Sequence, residues 1–269
     1  MKELATLAHL KVLNISGYLP GGIMSRNHKP KSSPVALLSI SYYMDTSGAL
    51  STLLEWPAQL ESFSFTFLFS TRVLPYPSFE SPIFHDSDYG DSDGSDWTPS
   101  NVQCLSDLMP LISSQSEALR SLEINIAEPA YGHDYVYMDY SKFDLTGFSN
   151  LEELTLSGWA TYGCDASTAR APVAPRLHEF TCVFDDRYLR FHQFGEAHEL
   201  FVRELVSTAV QRESPLETVH LSLDQSGSLV STYFWDIMDR ISADIKDSGI
   251  HLTYPPRSDS WEDEEDEEC

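Results

Sequence analysis

Two groups of side chains in this sequence have types and spacings from which chemistry could be built. The first is a run of carboxylates, Glu80, Asp86, Asp88, Asp91, Asp93 and Asp96, with no Lys or Arg among them. Clustered carboxylates are what calcium takes, and Gly94 could hold the turn position of a calcium-binding loop. That placement puts the first ligand on Tyr89, the fifth on Asp93 and the twelfth on Ser100, so two charged ligands are missing. The run therefore reads as a solvated acidic loop. The second group is the histidines and cysteines. His198-Glu199-Leu200 begins like the zinc motif HExxH, but Val202 stands where its second histidine belongs. His192, six residues before His198, falls on another face of the same predicted helix. These read as surface histidines. Cys182 occupies an apolar position and reads as a small core residue, and nothing marks Cys164 and His178 as a nucleophile with its base. There is no GxSxG, no phosphate-binding P-loop and no GxGxxG. The expectation is a protein without catalytic residues, cofactor or metal.

The elements that must position any functional surface come from a phrase that recurs seven times: an apolar residue, two variable positions, an apolar residue, one variable position, and a third apolar residue. The copies are Leu10, Leu13, Ile15; Val35, Leu38, Ile40; Leu60, Phe63, Phe65; Leu119, Leu122, Ile124; Leu151, Leu154, Leu156; Leu177, Phe180, Cys182; and Leu216, Val219, Leu221. The pattern matches the strand half of a leucine-rich repeat, in which one short strand per repeat stacks beside the next. Successive copies start 25, 25, 59, 32, 26 and 39 residues apart. The expected fold is α/β, a leucine-rich-repeat-like solenoid over residues 1–254, with parallel strands on its concave face and helices on its convex face.

Helical periodicity appears between the strands. It predicts helices over 47–56, over 102–118 with Pro110 kinking, shortening or restarting it, over 192–213, and over 231–247 with Gly249 as a cap. In the third, Leu200, Phe201, Leu205, Val206 and Ala209 are expected on one apolar face. A last short strand is expected over 250–254. The 59-residue gap holds either one repeat with an insertion or two units, one of them lacking a visible strand. Its acidic centre, about 78–101, and the tail 255–269 are too polar to order themselves and are expected to be disordered.

In a strand of this kind the second and third apolar residues of the phrase point inward, so the residue between them points out. That outward position is Asn14, Ser39, Ser64, Glu123, Thr155, Thr181 and His220 in the seven copies, and two residues later come Ser16, Ser41, Thr66, Asn125, Ser157, Val183 and Ser222. Glu123, Glu153 and Glu179 add negative charge at the middle of this face; Ser and Thr suit any exposed sheet, and the same row also serves as a candidate partner surface. Tyr42, Tyr43, Tyr135 and Tyr137, in tyrosine-rich segments after strands, are further contact candidates, because tyrosine supplies amphipathic area at little entropic cost.

The chain has 269 residues and carries 41 acidic against 17 basic residues, for a net charge of −24. Even without the acidic loop and tail it would repel a phosphate backbone, so nucleic acid is not an expected partner. No apolar run of membrane-spanning length occurs. Four cysteines without CxxC spacing fit a reducing compartment, cytoplasm or nucleus. The phrases SNLEELTLSGW and AQLESFSFTF, together with LKVLNISGY, APRLHEFTCVFD and ESPLETVHLSL, resemble the repeat region of fungal F-box and leucine-rich-repeat-like proteins. The resemblance implies a protein-binding module like the substrate-recognition region of an F-box ubiquitin-ligase receptor. It also implies a Skp adaptor as a partner if an F-box lies upstream. Nothing before Leu10 could supply the three helices of an F-box. The alternative expectation is a truncated or orphan repeat protein without a ligase connection, and an unrecognised enzyme is the third.

Overall fold

Each of the seven phrases becomes a β-strand in the computed structural model, which describes residues 9–17, 29–43, 49–68, 105–127, 143–158, 168–184, 194–223 and 232–256. The strands are β1 (Val12–Ser16), β2 (Leu37–Tyr43), β3 (Ser62–Leu68), β4 (Ser121–Ala127), β5 (Glu153–Ser157), β6 (Glu179–Phe184) and β7 (Thr218–Leu223), and β8 (His251–Thr253) supplies the expected last strand. They form one sheet in the order β1 to β8, every neighbouring pair parallel. The fold is therefore α/β, with an open eight-stranded parallel sheet. β3 pairs directly with β4 over seven residues, so the 59-residue gap places no strand of the sheet between them. The acidic centre of the gap, 78–101, and residues 257–269 of the tail lie outside the described residues. Pro255, the first residue of the predicted tail, accepts a hydrogen bond from Trp235 Nε1 at 3.3 Å.

Regular register follows from a hydrogen-bond device repeated at the start of each strand. The carbonyls of Lys11, Ala36, Glu61, Arg120, Glu152 and His178 each accept two N–H groups from the next repeat, as Ala36 and Leu37 donate to Lys11 O at 2.9 and 3.0 Å. The phrase's two inner apolar residues then fall at the same height on every strand. Leu13, Leu38, Phe63, Leu122, Leu154, Phe180 and Val219 make one buried row, and Ile40, Phe65, Ile124, Leu156, Cys182 and Leu221 make a second. Burying each such side chain contributes about 1.5–3 kcal/mol.

Among the described residues four helices cover this side of the sheet: α1 (Ala49–Glu55), α2 (Leu105–Ile112), α3 (Glu196–Gln211) and α4 (Thr232–Ile245). Leu50, Leu53 and Leu54 of α1, Leu108 and Ile112 of α2, Phe201 and Leu205 of α3, and Phe234, Ile237, Met238 and Ile241 of α4 join the inward strand residues in one core. α2 runs through Pro110, and a 3-10 turn, Ser113–Gln115, follows its end. Gly249, at φ +78°, stops the turn after α4 in the left-handed conformation glycine favours. Leu200 departs from the expected helix face: it is 50% exposed. The buried arc of α3 runs through Phe201, Val202, Leu205, Val206 and Ala209, and a residue 100° before Phe201 on the helix lies well away from it.

His198 is half-buried in α3 rather than a surface histidine. Its ring stacks on Phe194 with centroids 4.8 Å apart and meets Phe184 edge-on at 5.7 Å, while its Nδ1 accepts a bond from Gly195 N at 3.3 Å and caps the helix. Phe184 in turn fixes the residue opposite it. A Cβ on Gly158 would lie 2.4 Å from the Phe184 ring, so the backbone approaches there as only glycine allows.

Candidate functional site

The sheet face away from the helices is where the candidate residues meet. Register places Asn14, Ser39, Ser64, Glu123, Thr155, Thr181 and His220 side by side, one per strand, and β8 extends the row with Thr253. Asn14 is exposed and the other six predicted members are half-buried. A second row lies two residues earlier, again in continuous register: Val12, Leu37, Ser62, Ser121, Glu153, Glu179, Thr218 and His251; of these only Glu153 and Glu179 stand out in the sequence, as negative charge at the middle of the face. Its signal in the sequence is the position just before the second apolar residue of each phrase. In the third row Ser157 is buried at 7% exposure rather than outward and open, while the other six members are exposed or half-buried.

Chemistry varies along these rows. On β1–β3 they carry no charge, and Val12 and Leu37, paired in register, are 47% and 41% exposed. On β4–β6 they carry Glu123, Glu153 and Glu179. Asn125 Nδ2 donates to Glu123 at 2.6 Å and Thr181 Oγ1 donates to Glu179 at 3.4 Å, which holds two of these carboxylates in place. On β7–β8 the rows carry His220, whose Nδ1 lies 2.6 Å from Thr253 Oγ1, and His251. None of the residues in the three outward rows is Lys or Arg.

Two bases adjoin the rows in the chain, Lys11 just before β1 and Arg120 just before β4. The Arg120 guanidinium forms a two-pronged pair with Glu152, both contacts at 2.8 Å, and Glu152 above all keeps its proton bound more tightly than usual. His178 and Glu217 repeat a looser version at 3.7 Å two strands on.

The remaining predicted positions separate from this face. Tyr42 and Tyr43 belong to β2 by their backbone, with side chains outside the described residues, and Tyr135 and Tyr137 lie outside them altogether. Cys182 is buried at 2% among the inward row, while Cys164 and His192 lie outside the described residues. Among the described residues no three His, Cys, Asp or Glu side chains gather as a metal site. An open depression of about 650 Å³ near the strand starts is lined by Lys31, Glu61, Gln115 and Arg120 with several serines. Its buried amide, Gln115, is used internally: it donates to Leu54 O at 2.9 Å and Pro57 O at 3.2 Å and accepts from Leu60 N at 3.2 Å.

No family model matches the chain, and neither a curated protein nor a solved structure matches it. No helix among the described residues is long and apolar enough to cross a membrane.

Proposed function

We propose that this protein is a binding module, a leucine-rich-repeat-like solenoid whose sheet lines the concave face, whose helices form the convex face, and whose outward rows contact a protein partner. The observation that carries the reading is the uncovered face itself. Side chains from eight consecutive strands stand in register there, differ in chemistry from strand to strand, and contribute little to the core. A surface of that kind is a continuous platform on which single residues set specificity without touching the fold. The role is similar to that of the substrate-recognition region of an F-box ubiquitin-ligase receptor, with the Skp adaptor as partner of any F-box in the full-length protein. The chemistry found on the face, hydroxyls, three carboxylates and two histidines, supports recognition better than catalysis.

The test is a photo-crosslinking side chain placed at Ser39, Thr155 or Thr181 in turn, and at exposed Lys246 beyond α4, in cells. Specific protein crosslinks from the three sheet positions and none from Lys246 are expected. Crosslinks from Lys246 alone would move the binding surface to the helices and end this reading.

A further inference from the structure

The row that includes Val12 and Glu179 limits what can lie on this face. Read across the strands it runs Val12, Leu37, Ser62, Ser121, Glu153, Glu179, Thr218, His251, so an exposed apolar pair stands at one end and two carboxylates stand side by side in the middle. Like charges in directly paired positions on neighbouring strands repel. Glu153 and Glu179 are both exposed, Glu123 stands diagonal to Glu153 in the adjoining row, and the Arg120 guanidinium is committed to Glu152. The small half-buried side chains of Ser62 and Ser121 leave a low floor between the apolar pair and the carboxylates.

We infer that the occupant of this face is an extended peptide segment bearing Lys or Arg, its cationic group between Glu153 and Glu179 and an apolar side chain on Val12 and Leu37. The inference rests on the reading of the outward face as a protein-binding surface and names the partner's chemistry. Complementary charge selects it: a cation offsets the repulsion of the glutamate pair, whereas an acidic segment adds to it. Geometry sets the spacing. Leu37 and Glu153 are three strands apart, about 14 Å at about 4.8 Å per strand, which an extended peptide covers in about four residues.

A random twelve-residue peptide display library selected on the purified full-length chain tests this, with enriched peptides then synthesised and titrated. Enrichment of peptides with Lys or Arg about four residues from a large apolar residue is expected. These should bind about tenfold more weakly to a Glu153→Gln/Glu179→Gln variant, with the difference shrinking as salt rises. Circular dichroism and urea denaturation of each variant separate lost binding from lost folding. Enriched peptides without bases, or unchanged affinity for the double variant, overturn the basic-peptide inference. If those peptides are still lost on Ser64→Arg, the face remains the binding surface. Binding indifferent to Ser64→Arg as well overturns the face itself, and a library that yields no enriched sequence counts against both.

Discussion

On its inner face the sheet repeats one chemistry, Leu13, Leu38, Phe63, Leu122, Leu154, Phe180 and Val219, strand after strand, while on its outer face the same strands present Asn, Ser, Ser, Glu, Thr, Thr and His. Adjacent residues thus answer to different demands. An inward side chain must fill the space its neighbours leave, so its choice is narrow and its loss costly. An outward one meets solvent, so it is free to vary at little cost to folding. The variation is ordered, from an apolar pair on β1–β2 through carboxylates on β4–β6 to histidines on β7–β8. That grading is why the outer face, and not the polar depression near Gln115, is the surface assigned to recognition.

The contrast is sharpest at β3. Phe63→Ala is expected to destabilise the protein by about 3–5 kcal/mol, because a large fully buried ring leaves a cavity between repeats. Ser64→Ala, one residue on, is expected to stay within about 0.5 kcal/mol. Urea denaturation of both variants measures the difference, and comparable losses would collapse the distinction between the faces.

A smaller effect is expected at Gln115, a polar residue that behaves as core. Gln115→Leu removes the acceptor for Leu60 N and the donor to Leu54 O and Pro57 O, leaving buried backbone groups unpaired at an expected cost of about 1–3 kcal/mol. A neutral result by the same denaturation would mean that water replaces the amide.

The smallest of the three depends on pH. Glu199 on α3 is bound by Arg203 at 2.7 Å and by Arg240 of α4 at 2.6 Å, and Asp244 of α4 also pairs with Arg203. Burial is the largest single influence on Glu199 and raises its pKa. The hydrogen bonds and charges of Arg240 and Arg203 together outweigh burial and leave the carboxyl below its ordinary value. A carboxyl lowered in the folded state contributes stability at neutral pH, and that contribution is lost as pH falls through the lowered value. Glu199→Gln is therefore expected to cost about 1–2 kcal/mol at pH 7, with wild type and variant converging in acid. A gap that widens in acid would reverse the assigned sign.

How much of this was legible in the sequence depended on how local each signal is. The seven phrases located their strands, and the seven outward residues fell in one register row, because alternation with period two is written in adjacent residues. Helix α4 was equally readable, with Phe234, Ile237, Met238, Ile241 and Ile245 all buried. Leu200 was placed on the wrong side of α3 because hydrophobicity alone does not say where the core lies. The half-buried His198 depends on Phe184, 14 residues away in sequence, and Gln115 depends on contacts up to 61 residues away, which no local pattern records. Val12 and Leu37 went unnoticed as an outward apolar pair because it takes the β1–β2 register to bring them together.

The central claim, that the outer face recognises a partner and does little to hold the fold, is tested most directly by affinity capture from cells with wild type and a Ser64→Arg/Thr155→Arg variant, each first shown to unfold at the same urea concentration. The account predicts that a specific set of proteins retained by wild type is lost from the variant. The same set retained equally by both would contradict it.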